Sequence, residues 1–137
     1  MTEQEIFERL APLITEVTGI PPETVTMDSV LVTDLGAESI DLLDLSFLIE
    51  EAFGITIEAN EFEAQVRERI PGGVYERNGC LTEEALAELR KAMPEVQPRH
   101  FAPGLCAADI PSLLTVAVFV HLVQRKLDQR VEGPVHA

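Results

Sequence analysis

The sequence predicts an all-α fold, and three observations predict it. Apolar residues recur at helical intervals, cap and stop residues bound several of those stretches, and the apolar content is mainly Leu, Ile, Val and Ala, with Trp absent and aromatics only 5%. At 137 residues the whole chain, 1–137, is expected to be one domain around one core.

Thr2 and Glu5 have capping-box spacing, and Ile6, Leu10, Leu13, Ile14 and Val17 follow on one helical face until Gly19. Pro12 lies inside this first helix, where a proline costs ~3 kcal/mol, so a bend or split is expected there. Residues 19–35, with Pro21 and Pro22, read as a long connection pinned to the core by Val25, Leu31 and Leu35. After Gly36 a second helix is expected from Ser39 to Phe53, with Ser39 as its N-cap, Asp41 in its first turn and Gly54 as its stop. Asn60 is the expected cap of a third helix over Glu61 to about Arg69, which Pro71-Gly72-Gly73 ends.

Further on, Asn78-Gly79 predicts a turn. Leu81 and Leu86 have staple spacing around Thr82, and Ala85, Leu86, Leu89, Ala92 and Met93 share a face up to Pro94. That apolar face must lean on the rest of the molecule, with a place beside the second and last helices expected. Glu95 to Leu105 should be irregular. Val116, Val118 and Val120 alternate as well as they cycle, but a lone strand would have no sheet to join, and Arg125, Lys126 and Arg130 suit a helix C-terminus. A last helix from Thr115 to about Leu127 is therefore expected, followed by a frayed tail after Arg130.

The formal charge is −14, and no Lys or Arg occurs between Arg9 and Arg67. Nucleic acid is excluded as a partner, because its backbone demands a basic surface, and basic protein patches are favoured instead. On the second helix Leu42, Leu45, Ile49 and Phe53 fall on one side, expected to be core. Ile40, Asp44, Phe47 and Glu51 fall opposite, an apolar docking stripe rimmed by carboxylates unless the segment after the third helix covers Phe47.

The remaining candidates are weaker. The N-terminus lacks a basic, then apolar, leader pattern, and the apolar run Leu113–Val123, broken by Thr115 and His121, is shorter than the ~20 residues of a membrane span. A cytoplasmic protein without a membrane span is expected, with Cys80 and Cys106 as free thiols. Asp41, Asp44, Glu50 and Glu51 read as a solvated face rather than catalytic pairs. Cys80, His100, Cys106 and His121 lack close metal-ligand spacing, and no Ser, His and Asp set is arranged for nucleophilic catalysis. No enzymatic activity and no metal are expected.

The informative segment is Asp34-Leu35-Gly36-Ala37-Glu38-Ser39-Ile40-Asp41, a glycine turn that delivers a serine hydroxyl to the start of an acidic helix. A phosphodiester there would sit beside unpaired N–H groups at the positive end of the helix dipole. On these residues alone an ordinary N-cap serine is the commoner reading.

This segment resembles the Asp-Leu-Gly-Ala-Asp-Ser-Leu-Asp signature of bacterial acyl carrier proteins, with Glu38 and Ile40 as conservative departures. Glu50-Glu51-Ala52-Phe53-Gly54-Ile55-Thr56-Ile57 is similar to that family's helix end, and Leu113-Leu114-Thr115-Val116 more weakly to the entry of its last helix. The likeness covers roughly 2–63 and 110–128, and leaves about 64–109 as a helical insertion that points to a specialised member.

The resemblance implies an acyl-carrier-like four-helix bundle and assigns Ser39 a covalent 4′-phosphopantetheine, placed there by a phosphopantetheinyl transferase and holding an acyl group as a thioester. It implies a carrier that presents this cargo to acyl-transferring enzymes of fatty-acid or lipid biosynthesis; a monomer is expected, and Asp34, Glu38, Ile40, Asp41, Asp44, Phe47 and Glu51 are the residues expected to dock basic patches. An aminoacyl or peptidyl carrier, and an unmodified acidic interaction module, are the alternatives.

Overall fold

A computed structural model of the chain describes residues 1–57, 61–70 and 72–132. Among these residues the α-helices are α1 (Glu3–Thr18), α2 (Ser39–Phe53), α3 (Glu61–Arg69), α4 (Glu83–Ala92) and α5 (Val116–Glu132), with short 3-10 turns at Pro22–Thr24, Pro98–His100 and Ala107–Leu113. The fold is predominantly helical, as the periodicity requires. The cap expected at Asn60 and the residues beyond Glu132 lie outside the described residues, while α5 runs on through Glu132, past the helix end expected near Leu127 and the fraying expected after Arg130.

The capping box closes the start of α1: Glu5 N–H donates to Thr2 Oγ1 at 3.1 Å, and Thr2 N–H donates to Glu5 Oε1 at 2.8 Å. Ile6, Leu10, Ala11 and Ile14 form its buried face, and Gly19 ends it in a left-handed conformation. The split expected at Pro12 does not occur. Pro12 sits on the exposed side, so the carbonyl that loses its partner, that of Glu8, faces water rather than the core.

Helix α1 packs against both α2 and α5. Its Arg9 guanidinium donates to the Ala52 carbonyl at 2.8 Å and lies 4.7 Å from the centre of the Phe53 ring, which fixes the far end of α2. The valine-rich segment 116–123 is indeed helical. Val116, Val118, Val120 and Val123 are all buried, and a helix apolar on every side is stable only when covered on every side. The 19–35 connection supplies part of that cover: Val116 N–H donates to Ser29 O, Ala117 N–H to Met27 O, and Leu31 N–H to Leu114 O, at 2.9–3.1 Å. Val25, Leu31 and Leu35 are buried, as expected of its core pins.

One small departure from helix is a hairpin, β1 (Glu76–Arg77) with β2 (Cys80–Leu81), in which Glu76 faces Leu81 and Arg77 faces Cys80. The expected Asn78-Gly79 turn makes it: both residues have positive φ, 56° and 83°, the conformation whose twist matches two antiparallel strands. Leu81 and Leu86 are both buried around the Thr82 cap, whose hydroxyl accepts from Ala85 N–H at 3.2 Å. Helix α4 buries Ala85, Leu86 and Leu89 and packs against α3, while Met93, Val96 and Phe101 continue the same core. The expected position beside the second helix is not realised at Phe47, which stays 59% exposed. Glu95, after α4, instead meets His121 on α5.

Among the described residues no helix is long and apolar enough to cross a membrane, and no group of three His, Cys, Asp or Glu side chains is placed to hold a metal ion.

Candidate functional site

The turn before α2 is held from behind. Asp34 accepts Val30 N–H through Oδ2 at 2.8 Å and returns its own N–H to Val30 O at 2.8 Å, and Ala37 N–H donates to Leu31 O at 2.9 Å. Leu35 and Ala37 are buried and anchor the turn on either side of Gly36. A Cβ on Gly36 would meet nothing within 4 Å, so space does not require glycine there; its φ of +72° does. Because the 27–31 strip is bonded to the start of α5, this turn is fixed to the core through the last helix as well as through α2.

Ser39 is the first helical residue, not the N-cap that its type suggests. Glu38 holds the cap position in an extended conformation, and its N–H donates to Asp41 Oδ2 at 2.9 Å. The physical reason is that the Gly36 turn brings Glu38, one residue earlier, to the point where extended chain becomes helix. The Ser39 hydroxyl is thereby released from capping: it is exposed and makes no hydrogen bond among the described residues. The first i to i−4 bond of the helix, Leu42 N–H to Glu38 O at 3.1 Å, leaves the N–H groups ahead of it at the positive end of the dipole.

The other serines differ. Ser29 is buried and its hydroxyl lies 3.1 Å from that of Thr26; Ser46 donates to Leu42 O at 3.0 Å; Ser112 is exposed but belongs to a 3-10 turn. Among the four, Ser39 alone joins an exposed, unengaged hydroxyl to the first turn of an α-helix. A phosphodiester fits this position. The acidic neighbours would repel it, and the helix end, together with the engagement of Asp34 and Asp41 by backbone N–H groups, offsets part of that repulsion.

The expected faces of α2 are realised. Leu45, Ile49 and Phe53 are buried and Leu42 is half-buried, while Ile40 is 64% and Phe47 59% exposed, with Asp44 and Glu51 exposed beside them. The structure adds Leu43, 51% exposed, which the sequence reading omitted. The signal was present, since Leu43 is three residues from Ile40 and four from Phe47 and so continues one stripe.

The structure also divides the acids that the sequence treats alike. Asp34, Asp41 and Glu50 serve the backbone, Glu50 accepting Ile57 N–H through Oε2 at 2.6 Å. Asp44 and Glu51 have no such internal duty among the described residues. The candidate docking set thus splits into Asp34, Glu38 and Asp41, which shape the turn and helix start, and Ile40, Asp44, Phe47 and Glu51, which face outward.

Residues 8–67 match the family model of the phosphopantetheine attachment site. Similar proteins include an acyl carrier protein of Petrotoga mobilis, 38% identical over 63 residues, which are 46% of this chain and 74% of the relative. An acyl carrier protein of Guillardia theta is 47% identical over 57 residues, covering 42% and 70%, respectively. The acyl carrier protein AcpXL of Brucella melitensis is 34% identical over 88 residues, reaching 62% of this chain and 95% of the relative. The match spans the turn and the helix start described above, and each of these relatives is covered over more than two thirds of its length. The chain accordingly belongs to the acyl carrier protein family, and its role is that of a phosphopantetheine carrier.

Proposed function

We propose that Ser39 Oγ is the attachment point of the phosphopantetheine arm, and that the arm holds an acyl group for cytoplasmic enzymes of fatty-acid or lipid biosynthesis. The observation that carries the reading is the position of Ser39: an exposed, unengaged hydroxyl in the first turn of α2, inside the matched residues. In attachment, Ser39 Oγ forms a bond to the phosphorus that bears pantetheine in coenzyme A. The pyrophosphate P–O bond breaks, adenosine 3′,5′-bisphosphate leaves, and the hydroxyl proton passes to the transferase. Once bound, the arm supplies a terminal thiol that carries the cargo as a thioester.

This chain's own residues position and present; they perform no step on the cargo. The Gly36 turn and the Glu38–Asp41 hydrogen bond hold Ser39 outward. Ile40, Leu43 and Phe47 offer an apolar stripe, and Asp44 and Glu51 steer it to enzymes with basic patches. Residues of about 64–109 are an elaboration packed on the carrier core, in a place that leaves the stripe uncovered. The acyl class draws its support from the relatives, all of which are named acyl carrier proteins.

The test is incubation of the apo chain with a phosphopantetheinyl transferase and coenzyme A. A mass gain of one arm on the wild type and none on Ser39→Ala is expected. An Ala variant that still takes up the arm would overturn the assignment.

A further inference from the structure

Beyond the hairpin, the strand of Cys80 meets a second stretch of chain. Cys80 lies opposite Cys106 in an antiparallel bridge, and Leu81 N–H donates to Leu105 O at 2.9 Å. That bond runs from the residue after Cys80 to the residue before Cys106, so the cysteines form the non-hydrogen-bonded kind of antiparallel pair. In such a pair the Cα atoms are about 4.5 Å apart and the side chains leave the same face. This spacing falls inside the roughly 4.4–6.8 Å that a disulfide spans without backbone movement.

Each cysteine is only partly buried, and both are free thiols in this structure, so a small reagent can reach them. Cys106 is also held in place: its N–H donates to Asp109 Oδ2 at 3.0 Å, and its thiol donates weakly to Gly104 O at 3.8 Å. Burial above all, then the neighbouring Cys80 and Asp109, pushes the Cys106 thiol up from its ordinary pKa. Cys80 acting on Cys106 in this way agrees with sulfurs that face each other.

We propose that Cys80 and Cys106 are a dithiol site that closes to a reversible disulfide by exchange with a small disulfide such as oxidised glutathione. One cysteine thiolate attacks the glutathione disulfide and releases the first glutathione thiol. The second cysteine thiolate then attacks the mixed disulfide, forms the Cys80–Cys106 bond and releases the second. The protein dithiol is oxidised, the glutathione disulfide is reduced to two thiols, and the two cysteine protons end on them.

The bond would close the base of the segment between Leu81 and Leu105, which contains α4. The same segment carries Glu95, Arg99 and His100, which line an open cleft of about 680 Å³ together with Asp28 and Thr33. Closing such a loop stabilises the folded state chiefly by restricting the unfolded one, so the segment should be harder to open when oxidised.

The experiment uses the full apo chain, whose only two thiols are these, exposed to oxidised glutathione and followed by intact mass, alkylation and peptide mapping. The expected product has lost two hydrogens, resists alkylation at both cysteines and yields one peptide pair linked through Cys80 and Cys106. It reverts on addition of dithiothreitol and melts at a higher temperature than the reduced chain. Cys80→Ser, by contrast, should stop at a stable glutathione adduct on Cys106. Two separate glutathione adducts on the wild type, a disulfide between two chains, or thiols that stay open to alkylation would each overturn the proposal.

Discussion

Leu86→Asp measures how firmly the α4 segment rests on the core, and the same helix supplies its control. Leu86 is 4% exposed, whereas the next residue, Ala87, is exposed. Placing Asp at either position imposes a similar helix-propensity penalty, so the difference between the variants isolates burial. Withdrawing the Leu86 side chain from the core costs roughly 1.5–3 kcal/mol. A carboxyl group without a partner at that site adds about 1–3 kcal/mol. Leu86→Asp should therefore lose on the order of 2.5–6 kcal/mol, against about 0.5 kcal/mol for Ala87→Asp, out of a total typical of small domains of ~5–15 kcal/mol. Urea unfolding followed by circular dichroism reads the two midpoints, and amide hydrogen exchange over residues 82–93 shows whether the loss is local. Attachment of the arm by the transferase should survive in Leu86→Asp, because the Ser39 turn is anchored through Leu31, Leu35 and α5 rather than through α4. Equal midpoints for the two variants would refute the packed segment.

Replacing Asp44 and Glu51 together by Lys should slow association with a basic partner and flatten its salt dependence while leaving stability little changed, as stopped-flow rates at low and high salt would show. Phe47→Ser should weaken the same association by about tenfold or more, the loss typical of a central apolar anchor, without lowering the melting temperature, and calorimetric titration checks both. His121 bridges three parts of the fold, its Nδ1 lying 2.5 Å from Glu95 Oε2 and its Nε2 2.6 Å from Glu3 Oε1. Burial pulls its pKa down, but the hydrogen bonds and charges of Glu95 and Glu3 outweigh that and leave it raised above 6.5. A raised folded value means that this contribution to stability is complete below about pH 6.5 and fades as pH climbs through the higher folded pKa. Melting temperature against pH should show that decline in the wild type and lack it in His121→Gln.

Much of the fold was legible because its signals are local. The Thr2–Glu5 box, the Gly19 and Gly54 stops and the Thr82 cap each specify their own helix boundary. The alternating valines of α5 are ambiguous by pattern, and the helix is decided by cover from other elements, which buries Val116, Val118, Val120 and Val123 alike. What the sequence hid was decided by non-local or one-residue geometry. Pro12 is tolerated because it happens to face solvent, and Ser39 yields the cap to Glu38 because the Gly36 turn ends one residue early. The site was legible as a motif and as a stripe of exposed side chains, yet the division of labour among its acids was not. Only the fold shows that Asp34, Asp41 and Glu50 are spent on backbone N–H groups while, among the described residues, Asp44 and Glu51 are not. The facing of Cys80 and Cys106 depends on two segments 26 positions apart in sequence meeting edge to edge, which no spacing rule announces.

Whether the arm sits on Ser39 is decided by locating the modified residue within the wild-type chain. Trypsin is of little use for this, since no Lys or Arg separates Arg9 from Arg67. Cleavage after glutamate instead releases Ser39 to Glu50, a peptide whose two hydroxyl residues are Ser39 and Ser46. Fragmentation of that peptide from the transferase-treated chain should place the phosphopantetheine mass on the fragments that contain Ser39 and leave those with Ser46 alone unmodified. An arm found on Ser46, whose hydroxyl is already donated to Leu42 O, or on any other peptide, would rule out Ser39 as the attachment point.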